Sequence, residues 1–181
     1  LKGMYRFKAA DTQYSKARVT LMGSGTILNE AVKARQMLQE RYAIAADVWS
    51  VTSYKELYTD GISTIRWNML HPDDPKTSYI EQCFNDQDNN GVYVAASDYL
   101  KALPCSLARW IPGRLIPLGT DGFGRSDDRT ALRNYFEVDA RFITLAALYG
   151  LRQEGKLEDK VVAQAISDLE IDPEKINPVM V

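Results

Sequence analysis

An apolar run, Ala17 to Met22 (ARVTLM), breaks at Gly23-Ser24-Gly25 and leads at once into Ile27, Leu28, Ala31, Val32, Leu38 and Tyr42, which recur at helical spacing. Lys33, Arg35, Gln36 and Glu40 fall outside that stripe. A strand joined to a helix by so short a turn continues most simply into a parallel neighbour, so this one unit points the chain to layered α/β architectures. The pattern then repeats. Ile44 to Val51 (IAADVWSV) reads as the next strand, and Thr52-Ser53 offers an N-cap for a helix through Tyr54, Leu57 and Tyr58 that is predicted to end near Gly61. Val92 to Ala96 and Leu115 to Leu118 supply two more strands, Tyr5 to Phe7 has the length of a short edge strand, and Pro117 argues for a strand end or an edge.

The connections are less regular. Ile62 to Leu70 fits helix or strand, His71-Pro72-Asp73-Asp74-Pro75 is a turn-rich loop, and a short helix through Tyr79, Ile80, Cys83 and Phe84 follows. Asp86 to Gly91 reads as a loop. Asp98 is placed to cap a helix running to Trp110, which Pro104 must kink or divide. Three further helices are expected at about Arg129 to Glu137, Ala140 to Glu154 and Glu158 to Leu169, before a tail from 173 to 181 that is able to pack onto a neighbour. The expected organisation is one domain over 1–181, with 1–16 as a lead-in and a mainly parallel, mixed sheet flanked by helices. A first residue other than Met reads as a cut end of something larger.

Charge narrows the function classes. Lys+Arg 22 against Asp+Glu 24 leaves a net charge of −2, so no basic field exists to gather nucleic acid or anionic lipid. No apolar run approaches membrane-spanning length and no signal pattern opens the chain, so no membrane association is expected. Cys83 and Cys105 lie in separate segments without a second ligand at metal spacing, which fits reduced thiols and a cytoplasmic protein.

Chemistry-bearing residues concentrate in Leu118 to Asp139, where a strand breaks into a glycine-spaced loop, GTDGFGRSD, and then starts a helix. Asp121, Arg125, Asp127, Asp128 and Arg129 are so dense that they must be solvated, pair with each other or meet a partner surface. Gly23-Ser24-Gly25 resembles the start of a dinucleotide fingerprint, but Leu28 occupies the third glycine position and Asp47 falls near the start of its strand, so a tight βα turn is the simpler reading. Asp60-Gly61 and Asn89-Asn90 are spaced like a thiamine diphosphate metal motif; Thr59 replaces its first glycine and polar NDQD precedes the asparagines, which makes the match a coincidence. His71, the only histidine, has no metal or triad partner in reach of sequence argument, and is better placed to hydrogen-bond at a loop mouth. Trp49, Trp67, Trp110 and Phe142 read as core or interface anchors.

SVTSYKEL, DGISTIRWNMLHP, ASDYLKAL, LGTDGFGRSDDRTALRNYFEVDA and DPEKINPVMV together resemble the C-terminal domain of the homodimeric pyruvate dehydrogenase decarboxylating component, a thiamine diphosphate-dependent family of the transketolase superfamily. Arg66 to Pro72 and the Gly119 to Asp127 loop carry the most specific part of that likeness; DQDNNG and the surroundings of Pro104-Cys105 depart from it as insertions. The resemblance implies an α/β domain of transketolase C-terminal type. It implies a parent oxidoreductase that decarboxylates pyruvate on thiamine diphosphate with magnesium and passes the acetyl group to a lipoyl arm of the acetyltransferase component. The family's cofactor-binding domains and catalytic residues precede this domain, so the chain is expected to hold no catalytic, cofactor or metal residues and to be inactive alone. Two roles follow as expectations. Either the domain builds the homodimer and scaffolds the parent, with Asp121, Phe123, Arg125 and Asp127 as the candidate interface loop, or it holds a site for a regulatory ligand or partner. A stand-alone nucleotide-binding α/β protein is the alternative should the likeness fail.

Overall fold

A computed structural model describes residues 2–11, 13, 17–85 and 91–180. Four of the strands read from the sequence form a parallel set: β2 (Ala17–Ser24), β3 (Ile44–Val51), β4 (Val92–Ala96) and β5 (Arg114–Leu118). β1 (Met4–Lys8) adds to the outer side of β3 in the antiparallel sense, giving the order β1-β3-β2-β4-β5. The expected mixed, mainly parallel sheet is therefore present, and β5, with its Pro117, is the other edge.

Alternation along the strands divides the interior into two cores. Val19 and Leu21, Ile44, Ala46 and Val48, and Val92, Val94 and Ala96 face α1 (Leu28–Tyr42), α6 (Ala140–Gln153) and α7 (Asp159–Asp168). Met22, Trp49, Val51, Tyr93 and Ala95 face α2 (Tyr54–Leu70), α3 (Tyr79–Asn85) and the segment of α4 (Ala102–Cys105) that continues to Trp110. Both faces of the central strands are thus covered, which is why β3 and β4 are continuous buried runs in the sequence. One acid sits in the strands of this sheet. Asp47 is fully buried on β3 and accepts the Arg18 guanidinium at 2.7 Å and the Ala10 amide at 3.1 Å.

Three expectations need correction. The helix begun at Ser53, whose hydroxyl accepts the Glu56 amide as foreseen, does not end near Gly61 but runs on to Leu70. Gly61 is there for clearance, since a Cβ at that position would stand 2.5 Å from the Trp110 ring. Asp98 caps no helix. Ser97 and Asp98 instead enter a turn in which Ser97 Oγ accepts the Tyr99 amide, and the helical segment starts only at Ala102, is four residues long with Pro104 inside it, and gives way to a 3₁₀ turn at Ala108–Trp110. β2 also outlasts its apolar run, continuing through Gly23 to Ser24. The loop expected at Asp86 to Asn90 lies outside the described residues.

Among the described residues no helix is long and apolar enough to cross a membrane. Trp49 and Trp110 are core residues, as read from the sequence, whereas Trp67 forms a surface stack with His71 at 3.8 Å between ring centres, capped by Lys76. His71 Nδ1 lies 3.1 Å from the Trp67 carbonyl, which gives the ring a local hydrogen-bonding role at the start of its loop.

Candidate functional site

The strand order creates a crevice. From β2 the chain crosses through α1 to β3 on one side, then returns past β2 to β4 on the other, so the connections leaving the carboxyl ends of β2 and β4 diverge. Open parallel sheets characteristically bind ligands at that divergence. A cavity of about 480 Å³ opens there. Thr26 and Ile27 line it from the turn after β2, and Asp98 from the turn after β4. Thr120, Gly122, Gly124 and Arg125 come from the loop after β5, while Arg129, Leu132 and Arg133 come from α5 (Arg129–Tyr135). Phe136 and Val138 close its floor.

The loop after β5 is shaped by named contacts. Gly122 has φ +97, and a Cβ there would stand 2.7 Å from the Pro178 carbonyl oxygen, so the loop needs glycine to lie against the C-terminal tail. Asp121 turns inward, accepting the Lys101 amide at 3.3 Å with the Lys101 ammonium 3.7 Å away. Asp127 accepts the Asp128 amide, and Asp128 in turn caps α5 by accepting the Thr130 and Ala131 amides at 2.7 and 2.9 Å. Phe123 is 79% exposed at the tip. Arg125 lies over the Tyr135 ring, 5.4 Å from its centre, and lines both this cavity and the neighbouring groove that Tyr135 and Ile176 share.

The three arginines are not equivalent. Arg133 is held by Glu30 of α1 at 3.0 Å and by Thr26 Oγ1 at 3.2 Å. Glu30, 5% exposed, also accepts the Ala140 amide at the start of α6, so one carboxylate joins α1, α5 and α6 beneath the cavity. Arg125 and Arg129 make no ion pair with a carboxylate among the described residues. Asp98 is the single acid of the lining.

Of the residues singled out from sequence, Arg125 and the neighbouring Arg129 reach the cavity, Phe123 faces outward, and Asp121 and Asp127 serve the loop's own hydrogen bonding. Thr26, Asp98, Arg133 and Glu30 were not grouped with them. The signal for Arg133 was present: RTALR places two arginines at i and i+4 with no acid between them, a spacing at which like charges oppose helix formation.

The sequence-level match to a cofactor motif has a structural explanation of its own. Asp60 uses its carboxylate to accept the Tyr79 amide at 2.6 Å, and Gly61 is covered by the Trp110 indole. Asn89 and Asn90 lie outside the described residues. Among the described residues no group of three His, Cys, Asp or Glu side chains is placed to hold a metal ion. Asp60 and Gly61 do not fit a thiamine diphosphate and magnesium site.

Comparison with known proteins supplies the context. A profile of the transketolase-like TK C-terminal domain matches residues 3–139. The chain is 47% identical over 180 residues to the pyruvate dehydrogenase E1 component of Pseudomonas aeruginosa and 44% identical over 179 residues to that of Escherichia coli, in each case covering 98% of this chain and 20% of the relative. It is 38% identical to the same component of Mycolicibacterium smegmatis, over 95% of this chain and 18% of the relative. The chain therefore spans about a fifth of the length of these relatives. Among solved structures, a split gene transketolase described as an inactive beta4 tetramer superposes with a TM-score of 0.54 at 18% identity, covering 84% of this chain and 43% of that one, a likeness of fold.

Proposed function

Because the chain belongs to the transketolase-like TK C-terminal domain family, we propose that it is the C-terminal, non-catalytic domain of a homodimeric pyruvate dehydrogenase decarboxylating component. In that parent, pyruvate is decarboxylated on thiamine diphosphate with magnesium held by other domains, in the cytoplasm, and the acetyl group passes to a lipoyl arm of the acetyltransferase component. The relatives that match nearly all of this chain bear that enzyme's name, which supports the parent's identity.

The domain's own work in this reading is to join the two subunits. One observation carries it: the loop after β5 and the C-terminal tail together leave large apolar side chains in water. Phe123 at 79% and Met180 at 80% are the extremes, with Ile176 and Val179 exposed between them. They belong to one surface, because Gly122 lies against Pro178 and Val179, and Ile176 borders the groove beside Gly124 and Arg125. Exposed apolar side chains gathered in this way mark a contact surface, and the occupant proposed is the second subunit of the parent. Asp121 and Asp127 hold the loop's shape, while Phe123 provides its anchor and Arg125 its flanking charge.

Sedimentation velocity of the full-length enzyme carrying Phe123→Asp tests this reading. A shift from dimer toward monomer at low concentration is the expected result. A dimer as stable as wild type removes the loop from the interface.

A further inference from the structure

We propose that the cavity at the carboxyl ends of β2 and β4 is a binding site for a phosphate monoester of a small hydroxylated molecule, with Arg125 and Arg129 as its phosphate ligands. The proposal is independent of the parent's identity, and it shares Arg125 with the proposed subunit surface.

Its first support is the balance of charge. Three arginines against one aspartate line a concave space, and only Arg133 is neutralised from behind, by Glu30. Arg129 stands one helical turn from Arg133 on α5 and forms no ion pair among the described residues. Arg125 likewise forms no ion pair with a carboxylate among the described residues, and Asp127, two residues away, turns one oxygen to the Asp128 amide. Two guanidinium forks that the fold leaves uncompensated at a cavity wall suit a dianionic phosphate, which they can bind through paired N–H donors.

The remaining lining defines the rest of the ligand. Ile27, Leu132, Phe136 and Val138 present an apolar floor, and Thr26, Thr120 and Asp98 bring hydroxyl and carboxylate groups to the other side. A bare inorganic anion would leave most of about 480 Å³ unused. An organic body with hydroxyl groups would cover the floor and donate to Asp98, the acid that follows β4 at the strand carboxyl end. Arg133 is a positioning residue: fixed between Glu30 and Thr26 Oγ1, it holds α5 against the start of α1 and so sets the cavity's width.

The test uses the 181-residue chain and three probes, inorganic phosphate, ribose 5-phosphate and adenosine monophosphate, each followed by thermal unfolding and titration calorimetry at two salt concentrations. The esters are expected to raise the melting temperature and to bind more tightly than inorganic phosphate, with affinity falling as salt rises. Arg125→Ala with Arg129→Ala should weaken ester binding by at least about tenfold, since both phosphate forks are removed. Both side chains lie on the surface, so the double variant is expected to fold, as checked by circular dichroism, and Arg66→Ala on α2, outside the cavity, should bind as wild type. Absence of binding by all three probes, unchanged ester affinity in the double variant, or esters no tighter than inorganic phosphate would each overturn the proposal.

Discussion

Replacing Glu30 by alanine should unfold the chain more easily than any other single change beneath the candidate site. The side chain is 6% exposed and serves three groups. Its Oε1 meets Arg133 Nη1 at 3.0 Å and Lys33 Nζ at 2.9 Å, and its Oε2 accepts the Ala140 amide at 3.1 Å. Lys33 is mostly solvated, so its share is close to nothing. Arg133 is only 21% exposed, and Ala140 is buried at the first turn of α6. Removing the carboxylate strands a largely buried guanidinium and a buried N–H together. Breaking a buried pair from one side costs about 3–5 kcal/mol and an unsatisfied amide about 1–3 kcal/mol; because Arg133 keeps Thr26 and can lean toward the cavity, the sum is discounted to about 3 kcal/mol.

For a chain of this length that loss corresponds to a fall of roughly 6–12 °C in melting temperature. Glu30→Gln keeps the shape and one acceptor, so about half the loss is expected. Urea titration is the direct assay, with a lowered midpoint at unchanged slope. A cycle with Arg133→Ala separates the pair from the amide, and the coupling should exceed about 1 kcal/mol. An alanine variant within about 0.5 kcal/mol of wild type, or no coupling to Arg133, would show that the carboxylate does not tie the three helices together.

Two further outcomes follow from packing and burial. Gly61→Ala gains about 1 kcal/mol of helix propensity, but its Cβ must enter the space 2.5 Å from the Trp110 ring, and overpacking of about 1–3 kcal/mol should prevail; a variant more stable than wild type in thermal melts would refute the clearance argument. Burial lifts the Tyr93 phenol, with a smaller push from Asp47, to about 12 from an ordinary 10.0. The unfolded chain therefore loses this proton first, so the stability linked to it is complete below pH 10 and drains away as pH rises toward 12, by about 1.4 kcal/mol per unit. Wild type should show that slope relative to Tyr93→Phe in urea midpoints measured across the window, and parallel pH profiles for the two would disprove it.

The central strands were legible because they are buried on both faces. Ile44–Val51 and Val92–Ala96 announce themselves as apolar runs, with boundaries that the structure reproduces. Gly61 misled because a glycine within a helix has two possible causes, and the one at work, a tryptophan about fifty residues away in the chain, leaves no local mark. Asp98 misled in the same way: its turn is tied across space, with the Thr120 amide bonded to the Tyr99 carbonyl. The Arg125 loop stood out by composition, but the cavity joins it to Thr26 and Asp98, and Glu30 meets Arg133 across 103 residues. Such pairings depend on strand order, which periodicity does not encode.

The loop after β5 thus presents two surfaces that earlier merged into one glycine-rich, charged segment. Gly122 and the tail fix its path, and Lys175 reinforces the corner by donating to the Tyr135 carbonyl at 2.6 Å and pairing with Glu137 at 3.2 Å. With the backbone held from behind, Phe123 is turned to solvent, while Arg125 lies over Tyr135 at the border between the cavity and the groove beside Ile176. The two proposed roles are therefore separable by mutation. Phe123→Ser should change assembly of the full-length enzyme and leave phosphate-ester affinity of the chain unaltered, because residue 123 does not line the cavity and the change adds no charge beside Arg125. Arg129→Ala, which lines the cavity and not the groove beside Ile176, should weaken the ester and leave the dimer intact. If each variant altered both properties, the loop would be a single device in which ligand and subunit compete for one conformation, and the division into an outer and an inner surface would have to be abandoned.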